Sequence, residues 1–404
     1  MPGWHNATLD LQKSGKFVML GITEEQHGDR CALFMQWQKM GWPILVDSLN
    51  LLDFDRVPFT LAIDKRGIIR DLKLKPEDLE AEFLDKDWPV APDDTWEPET
   101  TIPMPDFQAM DERVEGDGAN DAVAWRNMGD AYYLWGDGNV RFTQAIDAYS
   151  HAIPLKPLDG RAAFRRGVAH RSRYDSDARH EGDFAAAVAD WTAALETNRS
   201  QYIWRRRIQQ YGPRLDKPYS FYDWVNQARS EIKSRNEVPT PLRVEPGGAE
   251  FAYPQKDFST TADQTHPDPD GELPLDDRSL VQIDTAVAPA HIVAGASARV
   301  HVVVKPDTAK QAHWDNEAGP ITLWADAPAG WEISSHLQQA PGPDGKPQST
   351  DERHLEFEVR SPAGTAAGEY TVSGFVLCFV CEDVDGVCHY LRHNFSIHVV
   401  VRDE

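Results

Sequence analysis

Apolar and polar residues alternate along short stretches in the last third of the chain, with the period of a half-buried β-strand. Residues 299–305 place three valines on one face, and residues 355–359 and 395–401 repeat the alternation. Pro-Ala-Gly sequences such as 362–364 mark turns between these stretches. We therefore expect residues 278–404 to form an all-β domain, built as an immunoglobulin-like sandwich.

In the middle of the chain, apolar residues recur with helical spacing instead. Small residues let paired helices approach closely, and aromatic rings fill the gaps between them. The pattern is defined by Trp125, Met128, Gly129 and Tyr132 on one helix and by Ala145, Tyr149 and Ala152 on the next. A second unit passes through Gly167 and Trp191, and a third has a helix that begins near Ser220. These units predict an all-α region over residues 121–236.

The helical pattern resembles the tetratricopeptide repeat. Trp125-x-x-Met128-Gly129-x-x-Tyr132 is similar to the first helix of that repeat. The resemblance implies an array that binds a protein or peptide partner on its concave face. Trp125 and Tyr132 are the residues expected to contact the partner there.

Predicted strands and helices alternate over residues 1–87. The apolar run at 16–22 predicts a strand that is covered on both faces. Residues 29–40 predict a helix, residues 43–46 predict a short strand, and Pro76 is expected to open a final helix. The order is that of an α/β domain.

Val57-Pro58-x-Thr60 precedes a predicted hairpin, Ile63-Asp64-x-x-Gly67. Together with the order of elements, these motifs resemble the thioredoxin-like family, in its redoxin branch. The resemblance implies a cis peptide bond before Pro58 and a role for Pro58 in docking peptides.

The Cys-x-x-Cys motif of that family does not precede these residues. Met1-Pro2-Gly3-Trp4-His5 stands where the helix carrying the motif would begin, so the central strand of the sheet would lie upstream of Met1. We therefore expect an incomplete thioredoxin-like sheet with an unpaired edge beside residues 16–22. Either the natural chain starts further upstream, or the domain is a remnant.

Proline and acidic residues dominate residues 88–120 and 237–277. Such compositions favour extended, solvated linkers. The predicted organisation is thus a thioredoxin-like domain at 1–87, helical repeats at 121–236 and a β-sandwich at 278–404.

The formal net charge of −24 argues against nucleic-acid binding, which needs clustered cationic side chains. No apolar run approaches the roughly 20 residues that span a bilayer, so no membrane insertion is predicted. The sequence as given predicts a cytoplasmic protein, whereas an upstream start would allow a periplasmic or exported one. The basic run at residues 205–207 is expected to pair with nearby carboxylates.

Three of the four cysteines crowd near the end of the chain. If the hairpin turn is centred on Val384-Asp385, Cys381 and Cys388 face each other near disulfide distance. The segment resembles the N-terminal domain family of the disulfide reductase DsbD, which implies that this pair is redox-active. The residues alone also permit a structural disulfide.

A soft-metal site is a further alternative for this segment. Its ligands would be drawn from Cys378, Cys381, Cys388, His389 and His393. Because Cys378 and Cys381 project to opposite faces of a regular strand, no metal is predicted, and no cofactor. Cys31 is expected to serve as a small buried hydrophobe.

The predicted function is a thiol–disulfide-associated scaffold that binds protein partners through its helical repeats. Cys381 and Cys388 would be its catalytic residues if it is an enzyme, namely a thiol–disulfide oxidoreductase. One alternative is a redox-inert interaction scaffold with structural cysteines. The other is a thioredoxin-like oxidoreductase whose catalytic strand is missing from this sequence.

Overall fold

The computed structural model describes residues 2–89, 103–213, 215–216, 224–243, 253–254, 264–343, 345–382 and 386–403. The described residues form a helical region and a C-terminal β-sheet region, so the predicted mixture of α and β parts is confirmed. The chain divides into two compact units. The first comprises Met1–Val168, Thr197–Arg207 and Ser220–Glu245, and the second comprises Ala169–Glu196, Ile208–Tyr219 and Pro246–Glu404. These borders differ from the predicted domain borders.

The helices are α1 (Pro2–Lys13), α2 (Asp29–Gln38), α3 (Phe107–Glu115), α4 (Ala122–Trp135), α5 (Val140–Leu155), α6 (Arg161–Tyr174), α7 (Asp183–Thr197), α8 (Tyr202–Tyr211) and α9 (Trp224–Ser234). The helix predicted from Pro76 is instead a 3₁₀ turn at Pro76–Asp78 followed by a π-helical turn at Glu80–Leu84. Within the described residues, no helix has both the length and the apolar character needed to cross a membrane.

The strands outside the C-terminal region are β1 (Gly21–Thr23), β2 (Ile44–Val46), β3 (Ala62–Ile63), β4 (Ile69–Asp71), β5 (Leu215–Asp216) and β6 (Tyr253–Pro254). Those of the C-terminal region are β7 (Val281–Ala288), β8 (His291–Val293), β9 (Ser297–Pro306), β10 (Ala312–Asp315), β11 (Ile321–Asp326), β12 (Glu332–Ile333), β13 (Leu337–Ala340), β14 (Gln348–Ser349), β15 (Arg353–Arg360), β16 (Gly368–Glu382) and β17 (Cys388–Arg402).

The N-terminal strands form two separate two-stranded sheets. β1 pairs with β2 in parallel, and β3 pairs with β4 antiparallel. The prediction of a strand over 16–22 covered on both faces is wrong, because only its end is paired and Val18 and Leu20 are 72% and 52% exposed. The peptide bond between Val57 and Pro58 is cis, as the resemblance implied.

Helix α9 packs against α2 inside the first unit, although the sequence pattern placed it in a third repeat. The buried apolar residues at this contact are Leu33, Val225, Ala228 and Ile232. Trp37 Nε1 also donates a hydrogen bond of 2.6 Å to Glu231 Oε2. The predicted start of this helix at Ser220 lies outside the described residues. The apolar stripe of α9 was thus predicted, but its partner was not.

Helix α3 lies within residues 88–120, so the prediction of an extended linker is wrong for this part. The Asp106 side chain caps the helix by accepting the backbone N–H of Ala109 at 3.0 Å. Val114 is buried in a cluster with apolar residues of α4 and α5. Residues 90–102 of this interval lie outside the described residues.

The described parts of the second predicted linker, 237–277, are also anchored. In the first unit the backbone N–H of Thr240 donates to Gln36 Oε1 at 2.9 Å. In the second unit the Pro274 carbonyl accepts a bond of 2.8 Å from the backbone N–H of Arg392. In these described parts, the segment is therefore hydrogen-bonded to the unit in which it lies.

Gly129 lets α4 and α5 approach closely, as its small size predicted. A Cβ at this position would lie 2.5 Å from the Tyr149 ring. Tyr149 is fully buried, and its hydroxyl donates to Asp130 Oδ1 at 2.8 Å, so the ring cannot easily move aside.

The Gly129→Ala variant should therefore be destabilised by roughly 1–2 kcal/mol, because overpacking outweighs the better helix propensity of alanine. Gly3→Ala in α1 is the matched control, since nothing lies within 4 Å of a Cβ there. Thermal unfolding of both variants checks the difference. Equal stability of the two variants would contradict the close approach.

Two β-sheets share one apolar core in the second unit. The first sheet has the strand order β12-β15-β9-β7, and the second has the order β13-β11-β16-β10-β14 with β17 on β16 and β8 on β17. The valines predicted to share a face, Val300, Val302 and Val304, are all buried in this core. The alternation predicted over 355–359 and 395–401 corresponds to parts of β15 and β17.

The opposite face of the first sheet carries a buried ionic cluster. Glu356 bonds to Arg299 and lies 3.1 Å from His301 Nδ1. His301 Nε2 lies 2.7 Å from the Tyr211 carbonyl, at the end of α8. This contact helps to explain why residues 208–219 belong to the same compact unit as the β region.

Candidate functional site

The last residue pair of the long β16–β17 hairpin consists of two cysteines. Cys381 lies opposite Cys388 in the antiparallel register, and the two form a disulfide with their Cα atoms 3.9 Å apart. A slip of one residue would turn one of them to the other face, so the alternation along both strands fixes the pairing. The predicted pairing is confirmed, while the turn residues Val384 and Asp385 lie outside the described residues.

The two bonded cysteines differ in their exposure to solvent. Cys381 is 2% exposed, whereas Cys388 is an exposed residue at the start of β17. Thiol–disulfide exchange requires a thiolate to reach one of the two sulfurs. The geometry therefore favours attack on Cys388 Sγ, with Cys381 as the leaving group.

Acidic groups surround the disulfide. One Asp315 oxygen and the two sulfurs all lie within 4.8 Å of one another. Glu382 forms an ion pair with Arg278 and lies 3.4 Å from His389 Nε2. Carboxylates near a thiol disfavour its thiolate form.

Cys378 lies on the other face of β16, in the apolar core, with its Sγ 3.9 Å from the Leu391 carbonyl. Burial, followed by the charge of Asp276, raises the pKa of the Cys378 thiol to about 12. Asp276 also lies 3.3 Å from His393 Nδ1. The structure does not bring together the alternative metal set of Cys378, Cys381, Cys388, His389 and His393.

Cys31 lies in the first turn of α2 and is half-buried. Burial, followed by the charge of Glu25, raises the pKa of its thiol. The side chain packs against an apolar cluster that includes Met35 and Trp42. These contacts are those of a small hydrophobe, as predicted.

The residues predicted to bind a peptide all lie in the first unit, and two of them are already engaged. Trp125 Nε1 donates to the Ala119 carbonyl at 3.0 Å, and its ring is stacked on His151. Tyr132 donates to Asp111 at 3.3 Å and is stacked on Phe107 of α3. Pro58 is exposed. Trp125 and Tyr132 therefore pack within the chain, and α3 was the element that the sequence pattern missed.

Arg207 and Glu24 form a buried polar cluster that sequence reasoning missed. Arg207 donates to Gln26 Oε1 at 2.6 Å and to the carbonyls of Glu24 and Ser48 at 2.8 and 3.0 Å. An amide and two backbone carbonyls thus contact the Arg207 guanidinium, and carboxylate pairing of the basic run stays a prediction.

Glu24 follows β1, and Asp47 follows the parallel strand β2, so the two carboxyl groups meet at one sheet edge. Both Glu24 carboxyl oxygens are buried and have no hydrogen-bond partner within the described residues. Burial, reinforced by the charge of Asp47 and opposed by that of Arg207, raises the pKa of Glu24 to about 8. Acidic residues just after two predicted strands were the available signal.

No protein-family model matches this chain, and no curated protein matches it. Among solved structures, AvmM, described as catalysing macrocyclization in alchivemycin A biosynthesis, is 10% identical over 31% of this chain and 90% of its own, with a TM-score of 0.21. Spo0M, a sporulation control protein from Bacillus subtilis, is 13% identical over 31% and 50%, with a TM-score of 0.18. AggA from Escherichia coli, the major subunit of aggregative adherence fimbriae type I, is 14% identical over 30% and 95%, with a TM-score of 0.18. Similarities at these TM-scores carry no argument about fold or function.

Proposed function

We propose that this chain is a thiol–disulfide-associated scaffold protein. Its redox element is the Cys381–Cys388 disulfide, and its helices bind a protein partner. The observation that carries the proposal is the unequal exposure of the two bonded cysteines, since it favours one direction of attack. In this proposal the N-terminal segment is thioredoxin-like, the helices are tetratricopeptide-like, and the β region is an immunoglobulin-like sandwich related to the DsbD N-terminal domain.

Exchange begins when a partner thiolate attacks Cys388 Sγ. A new S–S bond forms between the partner and Cys388 as the old one breaks, and Cys381 leaves as a thiolate that takes a proton from water. A second thiolate of the partner then releases Cys388. The partner dithiol becomes a disulfide, and two electrons pass to this chain.

Partner binding through the helices rests on the resemblance to tetratricopeptide repeats. Trp125 is engaged with the segment before α4 and Tyr132 with α3, so a partner would have to compete with these contacts. Pro58 is exposed and keeps its proposed role in docking an extended peptide. Neither a cytoplasmic nor an exported location is favoured by these contacts, and both stay predictions from the sequence.

Denaturing thiol counts test the redox element. We expect two thiols in the oxidised chain, from Cys31 and Cys378, and four after treatment with a dithiol. The reduction midpoint should lie above about −300 mV, the range of disulfides that respond to cellular thiols. Cys381→Ser should trap a partner as a mixed disulfide through Cys388, whereas Cys388→Ser should trap none.

The second candidate is a redox-inert interaction scaffold with a structural disulfide. The observation in its favour is the Asp315 carboxylate beside both sulfurs, because it opposes formation of a thiolate. A midpoint below about −300 mV, with no mixed disulfide from Cys381→Ser, would support this candidate instead.

A further inference from the structure

Four side chains with metal-binding atoms project from the same face of three adjacent strands. Cys381 is opposite Cys388 on β17 and opposite His313 on β10. Directly opposed residues of antiparallel strands project to the same side of a sheet, and Asp315 follows His313 by two residues on that side. The register therefore places the four side chains on one face, and the ligand atoms of Asp315, Cys381 and Cys388 already lie within 4.8 Å of one another.

The Asp315 carboxylate is already positioned at the disulfide. One of its oxygens and both sulfurs lie within 4.8 Å of one another. Its Oδ1 accepts the backbone N–H groups of Glu317 and Ala318 at 3.1 and 3.2 Å. These bonds fix the orientation of the carboxylate without using Oδ2.

His313 offers a nitrogen that lacks a partner. Its Nδ1 lies 3.4 Å from the Gln311 carbonyl, which favours the tautomer with the proton on Nδ1. Its Nε2 is buried and has no hydrogen-bond partner within the described residues. A lone pair on Nε2, with Nδ1–H held by a carbonyl, is the usual arrangement of a metal-binding histidine.

Reduction of the disulfide would leave two thiols beside the Asp315 carboxylate, and a bound cation would favour loss of their protons. Two thiolates and the Asp315 carboxylate carry three negative charges, and the nearby Arg278 is already paired with Glu382. A divalent cation would offset two of these three negative charges. Two sulfurs, one nitrogen and one oxygen are a ligand set that suits tetrahedral Zn²⁺.

We propose that Cys381, Cys388, His313 and Asp315 form a Zn²⁺ site when the disulfide is reduced. This inference rests on the proposed function in one respect, namely that the disulfide is reducible. A dithiol reductant supplies two electrons and two protons and becomes a disulfide, and the two new thiols release their protons when Zn²⁺ binds. The oxidised pair cannot bind the ion in this way. The two strands of the hairpin are therefore linked by the disulfide when oxidised and by Zn²⁺ when reduced.

Titration of the full-length chain with Co²⁺ tests the site. Protein reduced with a dithiol and desalted without oxygen is expected to bind one Co²⁺ with a thiolate-to-cobalt charge-transfer band, which Zn²⁺ then abolishes. The oxidised protein should give no band. His313→Gln and Asp315→Asn should each weaken binding by at least about tenfold. His398→Gln, an exposed histidine on the same hairpin, is the matched control and should leave binding unchanged.

A chain that keeps only two thiols after dithiol treatment would count against the proposed function rather than the metal site. That chain is reduced in urea, refolded and titrated in the same way, so the site is tested in either case. No charge-transfer band from protein with four thiols would overturn the proposal. Equal binding by the His313→Gln, Asp315→Asn and control variants would overturn it as well.

Discussion

Replacing Glu356 with glutamine is expected to lower the free energy of unfolding by about 3–5 kcal/mol at pH 7. Glu356 bonds to Arg299, whose side chain is only 1% exposed. The Arg299 Nη1 atom has no hydrogen-bond partner within the described residues even when Glu356 is present. Loss of the carboxylate charge would therefore leave the buried Arg299 guanidinium without its ion-pair partner. Urea denaturation of the wild-type and variant chains measures the difference.

Glu356 also makes the stability of the protein depend on pH in the acid range. Burial acts to raise the pKa of Glu356, but the hydrogen bond with His301 and the charge of Arg299 outweigh it and lower the pKa from 4.5 to about 2. Because the folded state releases this proton more readily than the unfolded state, the stabilisation is present above about pH 4.5 and is lost as the pH falls towards 2. The free energy of unfolding of Glu356→Gln should therefore lack this loss between about pH 4.5 and pH 2.

Two further variants separate the buried charge from general disruption of the sheet. Glu332→Gln removes an ion pair with Arg360 on the same sheet, but the Glu332 side chain is 62% exposed, so the loss should stay below about 1 kcal/mol. The double variant Arg299→Met with Glu356→Gln also removes the buried guanidinium. It should therefore recover most of the free energy of unfolding that Glu356→Gln loses. If Glu356→Gln costs no more than Glu332→Gln, the cluster is not the stabilising element inferred here.

Local patterns predicted those features that depend on neighbours along the chain or across a hairpin. The Cys381–Cys388 pairing follows from strand period and hairpin symmetry, both of which can be read from sequence. The close approach at Gly129 follows from residue size. The buried valine face of β9 follows from alternation. In each case the contacting residues are close in sequence or related by a simple period.

The misplaced elements depend on partners that are distant in sequence. The apolar stripe of α9 was evident, but nothing local identifies Leu33 as its partner roughly 190 residues away. Helix α3 is flanked by prolines and acidic residues, a composition that favours a linker. Its Asp106 cap and its buried Val114 were therefore not recognised in the sequence. At the candidate site, the cysteine pair could be predicted from the sequence. His313 and Asp315 could not be assigned to the site, because they lie beside the cysteines only through the pairing of β10 with β16.

Replacing Glu24 with glutamine is expected to stabilise the protein above neutral pH. The pKa of Glu24 is raised from 4.5 to about 8 by burial first and then by the charge of Asp47. The folded state thus holds a proton that the unfolded state releases, and stability falls as the pH rises from about 4.5 to about 8. Glutamine has a similar shape without the ionisation, so the variant should gain about 1–3 kcal/mol at pH 8, a range reduced for the residual solvent contact of the side chain.

Urea denaturation at pH 5, 6, 7 and 8 tests this expectation. The two chains should have nearly equal stability at pH 5 and diverge steadily as the pH rises. Glu25→Gln is the neighbouring control: Glu25 forms an ion pair with Arg30, so its loss should weaken the fold or leave it unchanged, opposite in sign to Glu24→Gln. Parallel pH profiles for wild type and Glu24→Gln would show that the carboxyl group is ionised in the folded state, in conflict with its buried and unpaired oxygens.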